Sequence, residues 1–311
     1  MKILVTGGAG YLGSVIIPKL IQDGHSVVVI DNLKYGQRSL LSLASIYDFD
    51  FIQADAREER ILKDQLKKVD AIVPLAALVG APACDHDPIL AHSLNVESIK
   101  NLLKSRSHDQ IIIYPTTNSG YGTKSGEVYC TEDTPLEPIS LYGKTKVEAE
   151  KLILNEKNTL TLRLATVFGV SARIRIDLLV NHFVYLAVTQ GYIVIYEKHF
   201  KRNFVHIRDV ADCFSFAMNN FTSLQGEAYN FGLDDANYSK EELANIIKKE
   251  VPNFMAVYSE IGEDPDKRNY IVSNQKLKGK GFSAVRTVHQ GVRELINAYR
   301  MIPEWDLTRN A

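Results

Sequence analysis

Ile3-Leu4-Val5-Thr6-Gly7-Gly8-Ala9-Gly10-Tyr11-Leu12-Gly13 decides the fold. An apolar burst breaks into glycines at 7, 10 and 13, spaced G-x-x-G-x-x-G, and a helical pattern follows from about Tyr11 to Asp23. Glycine permits the tight turn, and its missing side chain lets backbone N–H groups approach a pyrophosphate. The partial positive charge at the start of the helix favours the same anion. Such glycines would serve any tight strand-to-helix turn, so the following strand matters. It is Val27-Val28-Val29-Ile30, and Asp31 ends it, 18 residues after Gly13. A carboxylate there accepts hydrogen bonds from an adenosine ribose and repels a 2′-phosphate. This favours NAD over NADP, with Lys34 and Arg38 nearby as opposing charges.

Outward from this stretch, apolar bursts and helical patterns alternate. Phe51-Ile52 precedes a charged helical segment from Glu58 to Lys68, and Ala71-Ile72-Val73 and Ile111-Ile112-Ile113 continue the series. A long helix is predicted from Ser140 to about Asn155, then a strand over Thr159–Leu164. The bursts do not alternate polar with apolar, so both faces are expected to be covered, as in a parallel sheet sandwiched by helices. The expectation is an α/β chain with a doubly wound (Rossmann) parallel sheet and a smaller C-terminal α/β substrate-binding region. Residues 1–165 form the NAD-binding part, with later segments returning to it, and residues 166–311 mainly the substrate region. In that second part helices are predicted at Ile176–Thr189, Val210–Asn220, Ser239–Glu250 and Thr287–Arg300, with a strand at Tyr192–Tyr196. Asp306 to Ala311 are expected to fray.

The bulk numbers narrow the partners. The chain has 311 residues, 45% of them apolar, with 36 basic against 37 acidic side chains, so neither nucleic acid nor an anionic membrane is favoured. Cys84, Cys130 and Cys213 lie far apart and form no C-x-x-C, which argues against a metal site and against disulfides. Strand-like sequence begins at Lys2, and the weakly polar run Ile72–Ala83 is too short to cross a bilayer. A soluble, cytoplasmic protein is expected.

Chemistry enters with Tyr142-Gly143-Lys144-Thr145-Lys146, a Tyr-x-x-x-Lys at the start of a helix. The i, i+4 spacing puts both side chains on one face. A free tyrosine has a pKa of about 10, so a base working near neutrality needs a shift of roughly 3 units, about 4 kcal/mol. A neighbouring ammonium and a nicotinamide cation both favour the phenolate. Tyr142 could then take a proton from a sugar hydroxyl while hydride leaves the same carbon for NAD⁺.

These residues together resemble the extended short-chain dehydrogenase/reductases that act on nucleotide sugars, over nearly the whole chain. The resemblance implies NAD held by Gly7, Gly10, Tyr11, Leu12, Gly13, Asp31, Asn32, Asp55, Ala56, Leu75, Ala76, Ala77, Tyr142 and Lys146. Leu75-Ala76-Ala77 matches the family's fourth-strand signature, and Asn95 an asparagine that supports the site. Pro115-Thr116-Thr117-Asn118-Ser119-Gly120-Tyr121-Gly122 matches the fifth-strand segment and puts Thr117 at the catalytic Ser/Thr position. Arg163–Gly169 and Arg202-Asn203-Phe204-Val205-His206-Ile207-Arg208-Asp209-Val210-Ala211 match later motifs. They imply Arg202 and Arg268 on the sugar-nucleotide diphosphate, a guanidinium being suited to bidentate contact. Val79, Asn118, Ser119, Thr166 and Asn181 complete the implied substrate residues, while His206 is expected to be a buried structural histidine.

Departures from the family pattern narrow the reaction. The Asp-Glu pair that dehydratases of this family carry after the catalytic Thr is Asn118-Ser119 here, so 4,6-dehydration is disfavoured. Pro74–Pro82, Thr117–Gly122, Arg163–Gly169 and Gly262-Glu263-Asp264-Pro265-Asp266-Lys267-Arg268 resemble GDP-D-glycero-D-manno-heptose 4-dehydrogenases of bacterial capsule pathways. That resemblance implies oxidation at C4 of a nucleotide-diphosphate sugar. The alternative is a nucleotide-sugar 4-epimerase of the UDP-glucose/galactose type, which uses the same site. A non-catalytic NAD-binding regulator is disfavoured by the retained Tyr142–Lys146 pair. A homodimer or higher oligomer is also implied, through helices near Pro88–Lys104 and Ser140–Asn155.

Overall fold

The computed structural model describes residues 1–124, 129–261 and 268–302. Among them, seven strands form one sheet in the order Ala228–Phe231, Thr159–Leu164, Ile111–Thr117, Ala71–Pro74, Lys2–Thr6, Ser26–Asp31, Phe49–Gln53. All pairings in it are parallel. The chain grows outward from Lys2–Thr6 in both directions, so a crevice opens beside that strand, at the C-terminal ends of it and Ala71–Pro74. The turns leaving those two strands converge there. Gly7 has φ +69°, and a Cβ on it would lie 2.5 Å from the Ala76 backbone nitrogen. A Cβ on Gly13 would lie 2.2 Å from the Gly8 carbonyl oxygen. Both positions therefore exclude a side chain.

Successive strand residues feed opposite cores, which is why the bursts are apolar throughout. Ile3, Val5, Val27, Val29 and Ile113 pack with helices Gly13–Gln22 and Ile207–Asn219. Leu4, Val28, Ile30, Ile72 and Ile112 pack with helices Glu59–Leu66, Ser98–Ser105 and Leu141–Leu154. A separate core joins helices Leu179–Thr189, Lys240–Glu250 and Val288–Met301. Strand Lys201–His206 links the two regions: Phe204 is buried in this separate core and Val205 in the core that holds Ile3 and Val5.

The predicted helices begin where capping chemistry starts them. Ser140 accepts from the Gly143 N–H, and Ser239 with Glu242 and Thr287 with Gln290 form reciprocal capping boxes. The strands Thr159–Leu164 and Tyr192–Tyr196 lie where the sequence places them. Strands that the sequence reading does not predict are Ala228–Phe231, which completes the large sheet, Lys201–His206, Thr166–Phe168, Asn237–Ser239, Met255–Ser259 and the short Tyr129–Cys130 and Ile271–Val272. The helix predicted from Ile176 starts at Leu179. Asp306–Ala311 and Gly262–Lys267 lie outside the described residues. Among the described residues no helix is long and apolar enough to cross a membrane, and no His/Cys/Asp/Glu group is arranged to hold a metal. The three cysteines are buried and free.

A buried ion pair ties the sheet to the helix that carries Tyr142 and Lys146. Arg163 donates to Glu150 at 2.6 Å, and the side chains are 7% and 2% exposed. Arg163 also donates to the Tyr121 hydroxyl and the Glu132 carbonyl, and Tyr121 donates to Asn230. Arg163, noted in sequence as part of a motif, is therefore structural. Arg163→Met strands the Glu150 carboxylate and should cost about 3–5 kcal/mol in denaturant unfolding. Adding Glu150→Gln should recover part of that loss.

Candidate active site

The glycine turn is held in shape from below. Asp31 Oδ2 accepts from the Ala9 N–H at 2.9 Å, and Oδ1 from the Leu33 N–H at 2.8 Å and from Gln37. The Ser39 hydroxyl donates to the Ala9 carbonyl. Tyr11 donates its hydroxyl to the Gly169 carbonyl at 2.8 Å, joining the turn to the second region. Among the described residues the N–H groups of Tyr11 and Leu12 take no partner within the protein. They stand at the start of helix Gly13–Gln22, the place where a pyrophosphate is bound by N–H groups and the helix dipole. The turn therefore fits a dinucleotide.

Two expected cofactor contacts are already engaged. Asp31 is buried, and both its oxygens serve the protein's own backbone, so its first task is to shape the turn. Asp55 takes a two-point contact from Arg57 and one from Asn32, which together hold its carboxyl down at about 2. Leu75 and Ala76 run beside Gly7, with Ala77 next in the chain. Asn95 lies in a π-helical turn, Ser93–Glu97, and its amide pairs with both the N–H and the carbonyl of Leu78 and donates to Thr145. It thus fastens the loop after the fourth strand to the helix bearing Tyr142 and Lys146. Such π turns favour functional positions.

Tyr142 and Lys146 share a helix face, but the expected direct effect of one on the other is not what the structure holds. Lys146 is buried and donates to the Tyr114 hydroxyl, its ammonium 3.9 Å from the Tyr114 ring centroid. Burial pushes the Lys146 amine down to about 7, against the opposing pull of Glu150. Burial also pushes the Tyr142 phenol up to about 12, while Arg268, Arg175 and the Thr117 hydroxyl draw it back. The side chain packs on the cluster of Leu78, Cys84 and Ala91. The cations that act on Tyr142 are thus two arginines. Thr117 Oγ1 lies 2.8 Å from Ser119 Oγ, and Arg268 donates to that Ser119 hydroxyl. Thr117, Ser119, Tyr142 and Arg268 are therefore brought together.

The other expected substrate residues divide. Asn118 is 1% exposed, and neither its amide nitrogen nor its oxygen has a hydrogen-bond partner among the described residues. Arg202 is buried on strand Lys201–His206, and Thr166 pairs with Phe204 of the same strand. Val79 is 38% exposed beside the clamped Leu78. Asn181 corrects the expectation: it is fully buried, and its amide bonds the Gly169 N–H and the Gly169 and Arg175 carbonyls, so it shapes the segment after Gly169. His206 is the structural residue expected, buried between Glu294 and the Arg208 N–H and edge-on to Phe168.

Sequence reasoning passed over Tyr114, Arg173 and Arg175. The arginines lie in Arg173-Ile174-Arg175-Ile176-Asp177, where charges alternate with isoleucines just after Gly169. That pattern was the available signal. Tyr114 left none, because its role arises from strand Ile111–Thr117 passing beneath helix Leu141–Leu154.

The depressed Lys146 amine has a thermodynamic consequence. The unfolded side chain keeps its proton to about pH 10.4. From about 7 to that limit the unfolded chain binds the extra proton, so stability rises with pH. Lys146→Met removes this slope. In cofactor-free protein the wild type should gain on the variant by up to about 1 kcal/mol per pH unit above pH 7, read by denaturant unfolding.

Comparison with known proteins places this site in a family. The NAD dependent epimerase/dehydratase family model matches residues 3–232. The UDP-glucose 4-epimerase of Lactobacillus helveticus is 34% identical over 156 residues, 49% of this chain and 46% of that protein. The uncharacterized UDP-glucose epimerase YtcB of Bacillus subtilis is 31% identical across 80% of this chain and 79% of its own. Among solved structures, UDP-glucuronic acid 4-epimerase from Bacillus cereus, in complex with UDP-glucuronic acid and NAD, superposes with a TM-score of 0.85. It is 25% identical, covering 97% of this chain and 99% of that one. With its glycine turn, its parallel sheet and three quarters of its length matched, this chain belongs to the NAD dependent epimerase/dehydratase family and is an NAD-dependent enzyme.

Proposed function

We propose that the protein oxidises the C4 hydroxyl of a nucleotide-diphosphate sugar and that it acts as a 4-epimerase. The observation carrying this reading is the convergence of Thr117, Ser119, Tyr142 and Arg268. Tyr142 takes the proton from the C4 hydroxyl, and Thr117 holds the same oxygen. NAD⁺, when bound, supplies the hydride acceptor and the positive charge of its ring. The C4–H bonding pair leaves as hydride and the O–H proton goes to Tyr142, giving a 4-keto sugar. Return of the hydride to the opposite face of C4, with the proton going back from Tyr142 to the C4 oxygen, gives the epimer. Arg202 and Arg268 supply the cations for the diphosphate, and the unpartnered Asn118 amide suits a sugar hydroxyl.

Magnitudes show why the base needs more than one cation. Bringing Tyr142 from about 12 to near neutrality requires roughly 7 kcal/mol. One unit charge at 4 Å contributes about 4 kcal/mol at the effective dielectric of a protein site. The two arginines already act within that value of about 12, so the positive charge of NAD⁺, when bound, supplies the larger part of the remainder.

The relatives support epimerisation over release of the ketone. The UDP-glucose epimerases match this chain in sequence, whereas the GDP-heptose 4-dehydrogenase reading rests on short stretches, one of them largely outside the described residues. Asn118-Ser119 offers no acid and base pair for dehydration. We also propose a homodimer through the Pro88–His92 and Leu141–Leu154 helices, where Ile89 stands 84% exposed.

Incubation with UDP-glucose, UDP-glucuronic acid and GDP-heptose, read by mass spectrometry and chromatography, separates the outcomes. An isomer is expected; loss of two mass units would instead assign a dehydrogenase. Tyr142→Phe should lower kcat by about 10²–10⁴-fold. Turnover of that variant at the wild-type rate would remove Tyr142 as the base.

A further inference from the structure

The segment after Gly169 crosses from the second region onto the NAD-binding region at two points. One is the Tyr11 hydroxyl, bonded to the Gly169 carbonyl at 2.8 Å. The other is Arg173, whose guanidinium carbon lies 4.6 Å from the Tyr35 ring centroid. Between them the segment is braced by Asn181, which bonds Gly169 and Arg175, and by Ser171, whose hydroxyl donates to the Arg173 carbonyl. Arg173 itself is 6% exposed and donates to the Ile174 carbonyl at 2.9 Å.

Tyr35 is equally fixed to the adenosine end of the crevice. Its N–H donates to Gln37, and the Gln37 amide donates to Asp31, the carboxylate that ends the second strand. Arg173 and Asp31 also act on each other electrostatically. The arginine thus reaches Asp31, the carboxylate at which the sequence reading places the adenosine ribose.

We propose that Arg173 and Tyr35 form a clasp across the adenosine end of the dinucleotide groove, which keeps the cofactor bound through the reaction. This rests on the reading of the crevice as the NAD site and extends it to residues with no role in the chemistry. A guanidinium held over an aromatic face is worth more when it is shielded from water, and Arg173 is so shielded. Lysine cannot reproduce a planar stack. Retention suits epimerisation, in which the cofactor gives back the hydride it accepted. An enzyme that releases its ketone must reoxidise or exchange the reduced cofactor.

The test is the dissociation rate of NAD from loaded protein, chased with excess isotopically labelled NAD and read by native mass spectrometry. Tyr35→Ala and Arg173→Lys should each speed release about ten-fold, and the double variant should be no faster than either. Tyr35→Phe keeps the ring and should match wild type. Tyr35 is 45% exposed, so its replacement tests the clasp even where Arg173→Lys disturbs folding. Wild-type release rates in both single variants, or effects that multiply in the double variant, would overturn the clasp while leaving the NAD site intact. A wild type that takes up no NAD would overturn both.

Discussion

Removal of water from the helix face that carries Tyr142 and Lys146 governs the rest of the site. The same burial drives the phenol towards its protonated form and the amine towards its neutral form. Neither state is the one a Tyr-x-x-x-Lys base requires. The protein supplies part of the correction through charges brought from distant segments: Arg268 and Arg175 against Tyr142, and Glu150 against Lys146. Glu150 can lie beside a buried amine because Arg163 neutralises it from strand Thr159–Leu164. The ionisation of Tyr142 and Lys146 is thus set by the folded sheet as well as by the helix, and in the protein alone the phenol stays raised and the amine lowered.

This division explains why the crevice is assembled from so many separated pieces. Gly7 lets the turns after the first and fourth strands touch, Asp31 holds the turn from beneath, and Asn95 ties the fourth-strand loop to helix Leu141–Leu154. Each is a fixed joint between elements far apart in sequence. A nicotinamide and a sugar must be aligned to within fractions of an ångström for hydride transfer, and joints of this kind hold such alignment better than mobile loops.

What could be read from the sequence follows from the range of the interactions. The glycine spacing, Asp31 and the i, i+4 spacing of Tyr142 and Lys146 are local, and the structure shows a tight turn after the first strand, braced by Asp31, and one helix carrying both side chains. Capping residues such as Ser239 and Thr287 are local too, and they start the helices where expected. Tyr114 beneath Lys146, the Arg163–Glu150 pair and the stack of Arg173 on Tyr35 join residues 13 to 138 positions apart, and no periodicity announces them. The last strand of the large sheet, Ala228–Phe231, has only four residues and takes its conformation from pairing with Thr159–Leu164. Asn181 misled for a related reason: an amide suited to a ligand serves equally well to brace a turn.

The central claim is that Tyr142 becomes a base only when a nicotinamide cation joins the charges the protein provides. The direct measurement is a spectrophotometric titration of its phenolate, taken as wild type minus Tyr142→Phe, with NAD⁺, with NADH and with neither. The account predicts a midpoint near 12 for the protein alone and one lower by several units with NAD⁺, but little changed with NADH. A midpoint that stays near 12 with NAD⁺ bound would contradict it.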